Sequence, residues 1–141
     1  MCLLCDLTSL LFSQWQTEIE RFAPFLKVMV LHNEESVSSE AIAAHDVVLT
    51  TNFVFQSKVG KKAKIRLSSY IKRIHWHRIL VDESHMGESK FALATLSATH
   101  RHLVSGTPLG SKISDVYPQV RFLRVAPFHR PEFWKNQVEE L

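Results

Sequence analysis

Two short stretches of this 141-residue chain hold side chains that could do chemistry together. Residues 79–85 read Ile-Leu-Val-Asp-Glu-Ser-His, and residues 103–108 read Leu-Val-Ser-Gly-Thr-Pro. Each is an aliphatic run that stops at small, polar or acidic residues, the pattern of a buried parallel strand presenting its chemistry at its C-terminal end. Two such strand ends imply one site. Adjacent carboxylates there can divide the work: one can hold a hydrated Mg²⁺ through a hard oxygen ligand, while its neighbour, pointing elsewhere, orients or deprotonates a water. The plainer alternative, two acidic residues in a surface turn, leaves the second strand end without an explanation.

The elements that must position these residues follow from hydrophobic spacing. Met1 to Cys5 reads as a strand, and Thr8 or Ser9 as the cap of a helix running to about Phe22, with Leu11, Trp15, Ile19 and Phe22 on its apolar face and Glu18 and Glu20 outward. Pro24 ends that helix. Leu26 to Leu31 reads as a strand, Ser38 to Ala44 as a short helix, Asp46 to Thr50 as a strand and Phe53 to Ser57 as the start of a helix. After the basic region come a strand at Ile79 to Val81, a helix at Lys90 to Leu96, a strand at Arg101 to Val104 and a helix at Ser114 to Phe122. Strands alternating with helices over short connections predict an α/β domain with a parallel sheet whose function lies at the strand C-termini. Residues 52–69 are the candidate loop, and no internal repeat or low-complexity segment interrupts the pattern.

The motifs resemble those of a known family. Asp82-Glu83-Ser84-His85 is similar to the DExH form of the Walker B motif of superfamily-two helicases, and Ser105-Gly106-Thr107-Pro108 to their motif III. Ser9-Leu10-Leu11 followed by Gln14-Trp15 and Glu18-Ile19 resembles motif Ia of the Swi/Snf-type DNA-dependent ATPases, and Asp46 to Thr51 resembles their motif Ib. Trp76-His77-Arg78, Ala98-Thr99-His100-Arg101, Asp115-Val116-Tyr117 and Arg121-Phe122-Leu123 fit the same family in the same order, so the resemblance spans about Leu3 to Trp134. It implies a three-layer RecA-like lobe of the P-loop NTPase type, with ATP and Mg²⁺ as cofactors of the complete enzyme and double-stranded DNA as its partner. By the same resemblance Asp82 holds Mg²⁺ and Glu83 positions the attacking water. His85, Ser105, Gly106 and Thr107 couple nucleotide state to movement, and Thr8, Ser9, Thr50 and Thr51 form the turns that meet DNA phosphates.

One motif of that family has no counterpart here. A Gly-x-Gly-Lys-Thr phosphate loop should precede motif Ia, its backbone amides and lysine gripping the phosphates. The nearest string is Gly60-Lys61-Lys62, which lacks the upstream glycines and follows motif Ib. The second RecA-like lobe, source of the arginine fingers, is missing as well. The expectation is therefore an incomplete N-terminal helicase ATP-binding lobe over residues 1–141, inactive as a hydrolase by itself.

Length and composition suit a single domain of this kind: 141 residues with 45% hydrophobic content can bury one core. The formal charge of +3 conceals a partition. Residues 47–81 hold eight Lys or Arg and no Asp or Glu, leaving the rest of the chain net acidic. Lys61, Lys62 and Lys64, with Lys58, Arg66, Lys72, Arg73 and Arg78, could face a phosphodiester backbone. A solvated basic insertion over residues 52–75 accounts for the same stretch, and both readings stay open.

Other features carry less. Cys2 and Cys5 have Cys-x-x-Cys spacing, but on a strand positions three apart face opposite ways and no second pair completes a metal site. Free thiols suit a reducing compartment. His75 and His77 share one strand face, as do His100 and His102; packing at a strand entrance describes them better than metal ligation. The N-terminus lacks a basic region, Asp6 interrupts its apolar run, and nothing approaches a membrane span, which together predict an intracellular and, in a eukaryote, nuclear protein. The leading expectation is part of a DNA translocase motor of the chromatin-remodelling or repair type. The alternatives are a non-catalytic DNA- or protein-binding module and a truncated or degenerate gene product.

Overall fold

The computed structural model describes residues 1–6, 10–31, 37–51, 70–82, 93–106 and 112–139. Five strands pair into one sheet: β1 (Cys2–Asp6), β2 (Val28–Leu31), β3 (Val47–Thr51), β4 (His75–Val81) and β5 (Ser97–Leu103). Their order is β2-β3-β1-β4-β5, and every pairing is parallel. This is the α/β parallel-sheet class that the strand-helix alternation predicts. Helix α1 (Leu10–Phe22) follows β1 and α2 (Ser39–Ala43) follows β2. A 3₁₀ turn at Ile113–Asp115 leads into α3 (Tyr117–Leu123), and α4 (Pro131–Trp134) runs on as a π-helical segment over Lys135–Glu139.

Two apolar layers hold the helices to the sheet. On one face Phe12, Trp15 and Ile19 of α1, spaced three and four residues apart, pack with Val28, Val30, Val47, Leu49 and Leu80. On the other, Leu3, Leu31, Val48, Ile79 and Val81 meet Ile42 of α2, Leu93, Leu96 and Phe122 of α3. Alternation along each strand explains the division: Val48 serves one layer and its neighbours Val47 and Leu49 the other. Ser38 caps α2, its Oγ accepting from the Ala41 N–H at 3.1 Å. Asp46 ties the start of β3 to β2, its Oδ2 accepting from the Lys27 N–H at 2.9 Å.

Three expectations change, each for a local physical reason. Phe22 was expected on the buried face of α1 but is 71% exposed, lying under the Arg21 guanidinium at 5.0 Å. The turn after Ala23, closed by the Leu26 N–H donating to the Ala23 carbonyl, returns Leu26 to that apolar layer in its place. Strand β4 begins at His75, four residues before the aliphatic run, because pairing with β5 recruits polar residues: His75 bonds the Ser97 hydroxyl at 2.7 Å and that of Thr99 at 3.0 Å. The expected helix from Ser114 is interrupted, since Pro118 has no N–H and is accommodated only in a first turn; α3 starts afresh at Tyr117. Helix α4 has no counterpart among the sequence expectations.

Trp76 is fully buried and its indole N–H donates to the Ile71 carbonyl at 3.2 Å. Truncation removes a large ring from a close-packed layer, so Trp76→Ala should lower the unfolding free energy by about 3–5 kcal/mol, measured in urea, with Trp76→Phe losing distinctly less.

Candidate functional site

Parallel pairing sends every strand toward the same edge, so the residues that follow the strands collect there. β4 ends at Val81 and Asp82 comes next; β5 ends at Leu103, with Ser105 and Gly106 beyond Val104. The ladder closes with Val81 opposite Leu103, and the Val104 N–H donates to the Val81 carbonyl at 2.9 Å. That bond stitches the two strand ends together just before their polar residues. Asp82 and Ser105 are both partly buried there, whereas Gly106 is exposed. Glu83, His85 and Thr107 lie outside the described residues, as do Thr8, Ser9, Lys61, Lys62, Lys64 and the expected helix at Phe53 to Ser57.

One oxygen of Asp82 is held from another element. The Trp15 indole N–H of α1 donates to Asp82 Oδ2 at 2.9 Å, across 67 residues of sequence. Spacing alone assigns Trp15 only to the apolar face of its helix. The available signal was chemical: a buried indole carries a donor that needs a partner. A second residue went unremarked as a site candidate. Asp6 closes the central strand β1 in register with Thr51, at the same edge, and it ends an aliphatic run just as Asp82 does.

Thr50 and Thr51 end β3 but do not present their side chains at the surface. Thr50 is fully buried, its hydroxyl donating to the Leu31 carbonyl at 3.2 Å, and Thr51 is 2% exposed. Of the eight cationic residues in the basic stretch, Lys72, Arg73 and Arg78 fall within the described residues, and all three are exposed. Residues 70–73 are helical, with Ile71 and Ile74 buried, so that turn is anchored by apolar contacts while its cations face water.

Among the described residues no three His, Cys, Asp or Glu side chains converge on a common point. Mg²⁺ is typically held by one or two carboxylates, waters and substrate phosphates, through hard oxygen donors. Asp82, partly buried and already fixed through Oδ2, has the character of such a ligand.

Helix α3 is secured to β5 by an arginine rather than by the site. Arg101 lies over the Phe122 ring at 5.3 Å and donates through Nη2 to the Leu96 carbonyl, which also accepts from Arg124 Nη2 at 3.3 Å. Burial, helped by the Arg124 charge, brings the Arg101 pKa down to about 10, and the group stays cationic at neutral pH.

This architecture is that of the SWI2/SNF2 ATPase core. Two structures of that core from Sulfolobus solfataricus, one in complex with double-stranded DNA, superpose with TM-scores of 0.70 and 0.69 at 21% identity, covering 96% of this chain and 27% of theirs. The chain belongs to the SNF2-related domain family, whose profile matches residues 3–140. Among curated relatives, the DNA repair protein RAD5B of Arabidopsis thaliana is 36% identical over 138 residues, which make up 92% of this chain and 11% of that protein. RAD5A of the same plant is 31% identical over 146 residues, or 98% of this chain and 14% of that protein. Transcription termination factor 2 of Drosophila melanogaster is 29% identical over 137 residues. The chain thus spans only a small part of the length of these relatives. No described helix is long and apolar enough to cross a membrane.

Toward the opposite end of the sheet, β4 and β5 carry the histidines. His77 and His100 meet edge to face with ring centroids 5.1 Å apart, a packing contact, while both ring nitrogens of His75 are engaged by hydroxyls. Partial desolvation, reinforced by Arg78 and His100, holds the His77 pKa below its ordinary value. The unfolded chain therefore binds the extra proton first. Above about pH 6.5 both states are neutral and His77 adds nothing to the pH dependence; as pH falls through that value toward the folded-state pKa, stability declines. Histidine proton shifts should show His77 titrating below about 6.5, and His77→Gln should flatten the acid side of a stability-against-pH curve in that window.

Proposed function

We propose that this chain is part of the ATP-driven motor of a nuclear DNA translocase of the chromatin-remodelling or DNA-repair type. The observation that supports this best is the placement of Asp82 at the end of β4 beside Ser105 at the end of β5, on a sheet of the SWI2/SNF2 kind. In the complete motor Asp82 would hold Mg²⁺, which supplies charge neutralisation at the β- and γ-phosphates of ATP. Glu83 orients the attacking water, and Ser105, Gly106 and Thr107, with His85, convey nucleotide state to the DNA-contacting turns.

DNA contact falls first to Thr8 and Ser9, ahead of α1, and to the cations Lys61, Lys62 and Lys64. Thr50 and Thr51 belong to the second turn, but the Thr50 hydroxyl is committed to Leu31, so this pair contributes less than its motif suggests. Relatives named as DNA repair proteins, and a structural neighbour bound to double-stranded DNA, support duplex DNA as the partner.

Hydrolysis requires parts these 141 residues do not contain. No Gly-Lys-Thr or Gly-Lys-Ser occurs in them, and a second lobe would be needed to close the cleft. Phosphoryl transfer depends chiefly on positioning and charge stabilisation by those parts. The isolated chain should accordingly show no DNA-stimulated ATP hydrolysis above background; steady turnover abolished by Glu83→Gln would overturn that expectation.

DNA binding by the isolated chain should be weak, indifferent to sequence and steeply dependent on salt, with a log-log slope of about −0.9 per phosphate neutralised. Replacing Lys61, Lys62 and Lys64 by Ala should shallow the slope by up to about 3. An unchanged slope would return the basic stretch to a solvated insertion.

A further inference from the structure

Trp15, a side chain from outside the sheet, makes a direct hydrogen bond to the proposed metal ligand. Its indole lies in the apolar layer with Phe12 and Ile19, and its Nε1–H reaches Asp82 Oδ2 at 2.9 Å. An indole nitrogen only donates and the carboxyl oxygen accepts, so the direction of this bond is fixed. A donor to a charged oxygen is stronger than one to a neutral group, and fixing one carboxylate oxygen fixes the plane of the other. Asp82 stands one residue beyond β4, and helix α1 constrains it through this bond.

We infer that Trp15 is a positioning residue for the divalent cation: its indole N–H fixes the Asp82 carboxylate and thereby ties the orientation of the metal ligand to helix α1. The inference rests on the reading of Asp82 as the Mg²⁺ ligand. It also links Thr8 and Ser9 to the metal in sequence, since α1 begins at Leu10, directly after them.

The test uses the three tryptophan indole N–H resonances of the 141-residue chain, with Mn²⁺ alone as the probe. Trp76 donates to the Ile71 carbonyl and Trp134 to Glu139 Oε1, so the first reports general damage and the second reports non-specific carboxylate binding. Asp82→Asn should move the Trp15 indole resonance and leave the other two in place. Low Mn²⁺ should broaden the Trp15 indole and the Val81 amide in the native chain and spare both in Asp82→Asn. Trp15→Phe, which keeps an aromatic ring in the layer, should weaken Mn²⁺ binding read at the Val81 amide by about 10-fold, the low end of the usual effect of partners behind a metal ligand. Ile19→Ala loosens the same layer without touching the donor and should leave Mn²⁺ affinity unchanged. Absence of Asp82-dependent broadening in the native chain would overturn the metal reading and the role of Trp15 with it. Native Mn²⁺ affinity in Trp15→Phe, or an equal loss in Ile19→Ala, would overturn the Trp15 inference while leaving Asp82 as the ligand.

Discussion

The parallel pairing of β4 with β5 is the constraint on which the site depends. Parallel strands end on the same side, so the two aliphatic runs that stop at Asp82 and at Ser105 deliver those residues to one edge. An antiparallel arrangement of the same two segments would place them at opposite ends of the sheet. The Val104 N–H to Val81 carbonyl bond extends the ladder to the last position before the polar residues, which keeps the two ends from splaying. Both strands have an apolar face to bury: Ile79 and Val81 of β4, with Leu103 of β5 beside them, against Leu93, Leu96 and Phe122. A slip of one residue would turn these side chains to the other face and carry Asp82 with them.

Helix α1 answers a different need. Its apolar stripe covers the far layer through Phe12, Trp15 and Ile19, work that any amphipathic helix could do. The indole at position 15 adds a polar reach that leucine or phenylalanine lacks, and it connects a packing element to a carboxylate beyond the sheet. A side chain that is apolar over its body and donates at one atom can serve the core and the site together. The site is thus held by two independent attachments, the strand ladder through the backbone and α1 through the side chain.

Much of this was legible in sequence because the signals were local. Aliphatic runs ending in polar residues located β3, β4 and β5, and the order of motifs located the family. What escaped were features set by tertiary contact. The first four residues of β4 lie outside its aliphatic run, and His75 is held there by hydroxyls of β5. Phe22 fits the helical period, yet its position on the sheet goes to Leu26 after a turn. Periodicity records which face a residue belongs to, not which residue reaches the sheet first. The burial of Thr50 and Thr51 is similar: a motif read as a surface turn supplies a hydroxyl that closes a hydrogen bond to β2. The Trp15 to Asp82 bond joins residues 67 apart, a separation at which no pattern in a single chain announces contact.

Charge divides the molecule along the same lines as its geometry. The stretch from Val47 to Val81 contains eight cationic and no anionic side chains, yet it ends immediately before the acidic pair Asp82 and Glu83. Arg78, Arg73 and Lys72 face water, and Ile71 and Ile74 are buried beside the last two, so positive charge is displayed to solvent ahead of the strand end. Were those cations beside Asp82, they would compete with a divalent ion for the same oxygens. Lys72 and Arg73 precede β4 and Arg78 stands at its middle, with the carboxylate beyond its exit, so one strand spaces that positive charge from the acidic residue. The length of β4 is what separates the two: seven residues at about 3.3 Å each put roughly 20 Å between entrance and exit, beyond the Debye length of about 8 Å at physiological salt.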